Sequence, residues 1–224
     1  MTESTLHSLS PLEARVLGVL IEKQITTPDY YPLTVNALLA GCNQKSNRDP
    51  VMSATEGEVQ MALDALKRRT LVIDSYGASG RVMRYAHNLP KVLEIGQATT
   101  ALLAALMLRG PQTPGELRMG SERLYRFADI SSVEAYLEEM GARTAGALVM
   151  KLPKQPGSRE HRWAHLLSGP VPIERVAASP AEQEETVTTG EIAALKSNVA
   201  QLRDQVAELR ALVEQLYKDL GVGR

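Results

Sequence analysis

One arginine-rich heptapeptide occurs twice in this chain. RVMRYAH runs from Arg81 to His87, and REHRWAH runs from Arg159 to His165. A histidine beside two arginines is a residue set that suits a metal or catalytic site with the arginines as anion binders. The same two stretches could instead be one strand of a duplicated domain. The elements that position them decide between these interpretations.

Metal and catalytic chemistry have little support in the sequence. His161 and His165 are four residues apart, and on a strand their side chains would lie about 13 Å apart, too far to share one metal ion. The single cysteine, Cys42, excludes an intramolecular disulfide and a multi-cysteine zinc site. The chain contains no P-loop, dinucleotide-binding fingerprint or G-x-S-x-G motif. We therefore predict a non-enzyme without catalytic, cofactor-binding or metal-binding residues.

Capping signals and apolar spacing predict three helices in the first third of the chain. Ser10 and Glu13 can form a capping box, as can Thr55 and Glu58. Between these two helices, Thr34 opens a shorter one. The third helix should bury an apolar stripe that consists of Val59, Ala62, Leu63 and Leu66.

Two strands follow the third helix, at 71–73 and 82–86, with a glycine-rich turn between them. The same order of helix, helix, helix and hairpin returns after residue 97. Thr113 with Glu116, and then Ser131 with Glu134, supply the second set of helix starts. Landmarks that return in the same order at a similar offset indicate a duplication.

Three helices followed by a two-stranded hairpin are the pattern of a winged helix-turn-helix. The predicted fold class is mainly α with small β-hairpins (α+β). It consists of two tandem winged helix-turn-helix domains, at 8–90 and 91–169, and a long C-terminal coiled-coil helix. On this interpretation, the repeated heptapeptide is the second strand of each wing. Tyr85 and Trp163 would then anchor the wings, and the histidines would close the strands.

Beyond residue 169 the composition changes, and a flexible acidic linker is predicted over 170–187. Apolar residues then recur with a strict spacing of three and four across 188–220. The predicted dimerisation residues are Ile192, Leu195, Val199, Leu202, Val206, Leu209, Val213, Leu216 and Leu220. Ile or Val at a and Leu at d favour a parallel homodimer. The alternative is that this stripe folds back on its own chain.

Basic charge is mildly concentrated in the first domain, although the formal net charge of the chain is −1. In a helix-turn-helix, the third helix reads the major groove while the turn and the wing hold phosphates. The candidate DNA-binding residues are Lys45, Ser46, Asn47 and Arg48 in the turn, Gln60, Lys67 and Arg68 in the third helix, and Arg81 and Arg84 in the wing. The turn from Asn43 to Pro50 could instead be there for its shape.

Acidic residues oppose a DNA contact. Glu56 and Asp64 lie on or beside the face of the third helix that would approach the duplex. In the second domain, the corresponding helix carries Glu134, Glu138 and Glu139. We therefore expect the second domain to serve for interaction or spacing, and the first to dominate any contact with DNA.

Four segments together resemble the YceH-like family of uncharacterised bacterial proteins. They are the YPLT run from Tyr31, the CNQKSNRDPV run from Cys42, the helix through Ala65 and Leu66, and the RWAHLL run from Arg162. The similarity covers about residues 8–168. It implies a pair of winged-helix domains and a bacterial cytosolic setting, and it implies no activity.

Two functions remain open on the sequence. The favoured hypothesis is a DNA-binding, regulator-like homodimer with double-stranded DNA as its partner. The alternative is a protein interaction scaffold that resembles the tandem winged-helix subunits of bacterial chromosome-condensing complexes. A cytoplasmic location without membrane association is expected, because no apolar run approaches the length of a membrane span.

Overall fold

A computed structural model describes residues 8–76, 82–154, 158 and 160–170. Arg81 and Arg159 lie outside the described residues. So do the linker beyond Pro170 and the whole heptad segment. The predicted coiled coil and its nine apolar residues therefore stay predictions.

The first repeat contains three helices, a 3-10 turn and a strand pair. In chain order these are α1 (Pro11–Thr26), the 3-10 turn (Pro28–Tyr30), α2 (Val35–Cys42), α3 (Glu56–Arg68), β1 (Val72–Tyr76) and β2 (Met83–His87). The strands pair antiparallel, with Val72 opposite His87 and Tyr76 opposite Met83. Leu33, just before α2, also forms a bridge to Tyr85 in β2.

The second repeat has the same order after a short connecting helix that the sequence pattern did not predict. Its elements are α4 (Leu89–Leu93), α5 (Gln97–Arg109), α6 (Pro114–Ser121), α7 (Ile130–Gly141), β3 (Val149–Lys151) and β4 (Trp163–His165). Val149 lies opposite His165 in an antiparallel pair. Gln112 forms a bridge to Trp163, the counterpart of the bridge from Leu33 to Tyr85. The predicted mixture of helices with small antiparallel strand pairs is confirmed.

Most of the predicted helix starts are confirmed by their capping geometry. Reciprocal side-chain and backbone bonds form capping boxes at Ser10, Thr55 and Thr113. The predicted start of α7 at Ser131 is wrong. Its cap is Asp129, whose carboxylate accepts from Ser132 N at 2.7 Å. Asp and Ser are comparably good N-caps, so the local pattern could not choose between two adjacent starts.

The predicted packing residues are also confirmed. The buried residues of α3 are Val59, Ala62, Leu63 and Leu66. The two aromatic residues of the hairpins are buried as well, since Tyr85 is 4% exposed and Trp163 is 6% exposed. Strands of three to five residues cannot form a core alone, so each hairpin is held by the aromatic side chain that it inserts between the helices.

The two repeats share one hydrophobic core, centred on α1 and α5. Both helices are buried around most of their circumference, as expected for a helix surrounded by other elements. Gly18 permits their close approach: a Cβ atom built at this position would lie 2.9 Å from Leu108 Cγ. Leu9 N also donates to Leu167 O at 2.8 Å, which joins the start of the first repeat to the end of the second. Within the described residues, no helix is both long and apolar enough to cross a bilayer.

Gly18→Ala should destabilise the shared core by about 1–3 kcal/mol, because the added methyl group overpacks the contact between α1 and α5. Denaturant unfolding of the full chain measures the change. Gly57→Ala is the matched control, since a Cβ atom there meets nothing within 4 Å. In α3 the added Cβ should stabilise the helix by about 0.5–1 kcal/mol. Equal effects of the two substitutions would contradict this account of Gly18.

Candidate nucleic-acid interface

The turn between α2 and α3 is held in shape by its own asparagines. Asn43 Nδ2 donates to Ala54 O and Asn43 Oδ1 accepts from Ala54 N, both at 2.8 Å. Asn47 has a φ of 57°, in the left-handed region that asparagine tolerates better than most residues. Asn43 therefore closes the ends of the loop while Asn47 reverses the chain at its tip.

Arg48 is a buried structural residue, although it was a candidate phosphate contact. Its side chain is 0% exposed and forms a two-point ion pair with Glu22 of α1, at 3.2 and 2.5 Å. The same guanidinium donates to Gly41 O at 3.0 Å and to Asn47 O at 2.9 Å. Since its donors are directed into the protein, Arg48 fixes the turn against α1 and presents no charge to a ligand on the surface.

A second buried arginine supports the same turn from the other side. Arg15 of α1 is 1% exposed and donates to Cys42 O at 3.2 Å and to Pro50 O at 2.7 Å. Burial and the nearby charge of Arg48 lower the pKa of Arg15. Burial also raises the pKa of Cys42 to about 11, so its thiol is a packing group at the end of α2.

The exposed tip of the turn contains Lys45, Ser46 and Asn47. The amide of Gln44 bridges the tip by donating to Ser46 O at 2.9 Å. The structure thus brings three of the four turn candidates to the surface together. The sequence left open whether this turn serves shape or contact. Asn43 and Arg48 fix its shape, and the contact role of the exposed tip stays a prediction.

The candidates on α3 and β2 are largely engaged within the repeat. Gln60 Nε2 donates to Asp64 at 3.1 Å, and Lys67 forms an ion pair with Asp74 of β1. Arg84 donates to Pro32 O at 2.8 Å and so ties the wing to the segment before α2. Arg68 is exposed at the end of α3.

The second repeat uses the equivalent arginine in the same way. Arg162 donates to Pro111 O at 2.8 Å, and it also pairs with Glu116 of α6 at 3.0 and 3.1 Å. The second arginine of each heptapeptide therefore links a hairpin to the segment before the second helix of the same repeat. The sequence pattern placed both arginines on strands, but it carried no signal for their proline carbonyl partners.

His87 and His165 end the second strand of each hairpin at equivalent positions, and His87 is buried while His165 is partly exposed. His87 Nε2 lies 2.7 Å from Gln24 Oε1, while the Nδ1 atoms of both His87 and His165 have no hydrogen-bond partner among the described residues. Burial lowers the pKa of each imidazole to about 4, so both are neutral at pH 7. In the described part of the chain, no three His, Cys, Asp or Glu side chains group as metal ligands.

The solvent-facing side of α3 and the neighbouring wing carry large apolar side chains. Met61 on α3 is 65% exposed, and Tyr76 at the end of β1 is 69% exposed. Val82, just before β2, is 52% exposed. Asp64, three residues after Met61 on α3, is exposed as well, so the helix presents apolar and acidic side chains to solvent.

Arg48→Ala should destabilise the protein by about 3–5 kcal/mol, because it leaves the carboxylate of Glu22 partly buried without its partner. Denaturant unfolding measures the loss, and Lys45→Ala is the control, since Lys45 is exposed on the same turn. If the pair matters as proposed, Glu22→Gln introduced into Arg48→Ala should recover part of the stability. An unchanged double variant would contradict the pairing argument.

Protonation of the two wing histidines should destabilise the fold as the pH falls. Their pKa is lower in the folded state than the ordinary 6.5, so the unfolded chain binds more protons between about pH 6.5 and 4. The contribution to stability is complete above pH 6.5 and falls by on the order of 2 kcal/mol per histidine toward pH 4. A variant with both His87→Gln and His165→Gln should show a flatter dependence of the unfolding free energy on pH. The same slope in both proteins would refute this assignment.

Comparison with known proteins places the chain in a family. A family model described as "Protein of unknown function, DUF480" matches residues 9–158. A UPF0502 protein of Burkholderia multivorans (strain ATCC 17616 / 249) is 53% identical over 221 residues, which cover 99% of this chain and 93% of that protein. A UPF0502 protein of Burkholderia pseudomallei (strain 668) is 54% identical over 217 residues, or 97% of this chain and 91% of that protein.

These alignments extend beyond the family model and include most of residues 171–224. They confirm the expectation of an uncharacterised bacterial family. The chain belongs to the DUF480 family of proteins of unknown function, whose curated relatives are UPF0502 proteins.

Proposed function

We propose that each repeat is a winged helix-turn-helix and that the protein is a non-enzymatic interaction scaffold of the bacterial cytoplasm. The order of three helices and a hairpin supports this proposal, as does the bridge that each wing makes to the segment before its second helix. The resemblance to YceH-like proteins implies the same pair of domains. On this proposal, α3 and α7 are the helices that a DNA-binding relative would place in the major groove.

The engagement of the candidate cations within the fold favours a protein partner over DNA. Arg48, Lys67 and Arg84 all have partners inside the first repeat. DNA affinity depends on cations that neutralise phosphates, so charges already paired contribute less to it. Met61 and Tyr76 are exposed where a groove reader would need polar contacts, and Met and Tyr are enriched at protein interfaces.

The corresponding helix of the second repeat, α7, is acidic on its exposed side. The exposed side of α7 carries Glu134, Glu138 and Glu139. Three carboxylates on one helix face would repel a phosphate backbone. A partner that contacts both repeats would therefore combine an apolar surface with a basic one.

DNA binding stays as a second candidate because the tip of the 43–50 turn is exposed. Lys45, Ser46 and Asn47 lie together there, and Arg68 is exposed at the end of α3. This set is small for a duplex contact, but it is the part of the predicted interface that the fold leaves free.

The heptad segment supplies the proposed means of dimerisation. If the a and d residues of two chains pack in a parallel coiled coil, each dimer has two copies of the binding face. The alignments with the Burkholderia proteins include most of this segment, so it is shared with relatives.

A photo-crosslinking amino acid at position 61 of the full chain, introduced in living cells, should yield a discrete crosslinked protein. Position 119 is the matched control, because Met119 is 71% exposed on the second repeat. Salt-dependent titration with random-sequence duplex DNA provides the competing readout. Binding that weakens steeply with salt and is lost in Lys45→Ala and Arg68→Ala would replace the scaffold with the DNA-binding candidate.

Sedimentation equilibrium tests the proposed dimerisation. The full chain should be dimeric, and a chain that lacks residues 186–224 should be monomeric.

A further inference from the structure

A polar cleft of about 130 Å³ lies between the two repeats. Its first-repeat wall consists of the end of α1 and the 43–50 turn. Its second-repeat wall consists of the end of α5 and the end of α6 with the residues that follow it. The side chains used below are Glu22, Lys23, Asn47, Arg109 and Arg123.

The lining of the cleft has an excess of positive charge. Lys23, Arg109 and Arg123 are cations, and Glu22 is the one carboxylate among the lining residues. The carboxylate of Glu22 is already held at two points by Arg48, which lies behind this wall. Lys23 Nζ lies 4.0 Å from the same carboxylate. The cleft therefore presents three cations against one carboxylate that Arg48 and Lys23 share.

Arg109 is the partly buried cation of the cleft, and most of its donors are available to a ligand. Its guanidinium has five N–H donors, and a single bond, to Gly120 O at 3.2 Å, engages them among the described residues. Burial lowers the pKa of Arg109, with a smaller contribution from the charge of Arg48 and an opposing one from Glu22. A partly desolvated guanidinium with free donors is the group that a planar or tetrahedral oxyanion recognises best.

The absence of a side chain at Gly120 leaves room for the guanidinium of Arg109. A Cβ atom built at Gly120 would be 2.3 Å from Arg109 Nη1, so no side chain fits beneath the guanidinium. The conflicting atom is the far end of a long side chain. An alanine here would therefore displace the guanidinium and leave the backbone in place.

The 43–50 turn contributes a polar group to the same cleft. Asn43 and Arg48 fix the shape of this turn, whereas Asn47 lies at its tip and lines the cleft. The side-chain amide of Asn47 has no hydrogen bond to another described residue, so its two N–H donors are free for a ligand. Residues with amide and guanidinium donors thus line one small cleft from both repeats.

We propose that this cleft binds a small phosphate-type oxyanion, either free phosphate or the phosphate group of a small phosphomonoester. Arg109 and Arg123 bind the anion from the second repeat, and Lys23 and Asn47 bind it from the first. Because both repeats contribute, the bound anion stabilises their packing against each other. The inference concerns a site separate from the face of α3 and does not depend on the proposed scaffold function.

Isothermal titration of the full chain with inorganic phosphate and with glycerol 3-phosphate tests the proposal. At least one of the two should bind, and the tighter of them identifies free phosphate or a phosphomonoester as the ligand class. Arg123→Ala should weaken binding about tenfold or more, since it removes a charge-assisted contact. Arg126→Ala is the matched control: Arg126 is exposed three residues away and outside the cleft, and its affinity should equal that of the unaltered protein.

Gly120→Ala provides a second variant that leaves every cation in the chain. It should weaken binding by a similar factor because it moves the guanidinium of Arg109, while thermal unfolding without ligand stays close to that of the unaltered protein. Absence of binding by either ligand up to about 10 mM would overturn the proposal. Equal affinity in the Arg123 and Arg126 variants would mean an adventitious ion only and would also overturn it. A short DNA duplex that binds through Arg123 while both small anions do not would assign the cleft to nucleic acid instead.

Discussion

The two-point ion pair between Arg48 and Glu22 is the interaction on which the candidate sites depend. A guanidinium with no exposed side-chain area is tolerated only when its charge and its donors are satisfied, and Glu22 with two backbone carbonyls does this. Arg15 adds two more carbonyl contacts from the same helix. The loop between α2 and α3 is thereby fixed to α1. The exposed tip of the turn and one wall of the inter-repeat cleft both follow from that attachment.

The duplicated heptapeptide serves the same need in both repeats. A hairpin of three to five residues per strand is too small to be stable alone, so it requires an anchor and a strut. Tyr85 and Trp163 are the anchors. Arg84 and Arg162 are the struts. Each donates a hydrogen bond to the carbonyl of a proline that precedes the second helix of its own repeat. The two histidines end the hairpins as neutral groups at pH 7, so the motif that first suggested a histidine site has a structural role.

The contacts of the candidate cations distinguish between the DNA-binding function and the scaffold function. A winged helix that binds DNA directs its cations outward, whereas the first repeat pairs three of its candidates within itself and exposes Met61 and Tyr76. The scaffold proposal follows from that distribution. The cleft has the opposite character, because cations from both repeats meet there with one carboxylate that is already paired. The interface between the duplicated units thus carries chemistry that neither unit has by itself.

The sequence alone determined the features that depend on neighbouring residues. Capping boxes at Ser10, Thr55 and Thr113 and the buried stripe of α3 are local patterns, and they were predicted to the residue. The repeated order of helices and hairpins was also visible in the sequence, because a repeat can be recognised without knowing any contact. The start of α7 was missed because Asp129 and Ser131, two residues apart, are both good N-caps.

The tertiary structure decided which cations are exposed to solvent. Arg48 and Lys45 are three residues apart in one turn, yet one is buried against a helix 26 residues earlier and the other faces solvent. Long-range pairing of this kind leaves no periodic signal in a single chain, so neither the struts nor the cleft could be read from the sequence.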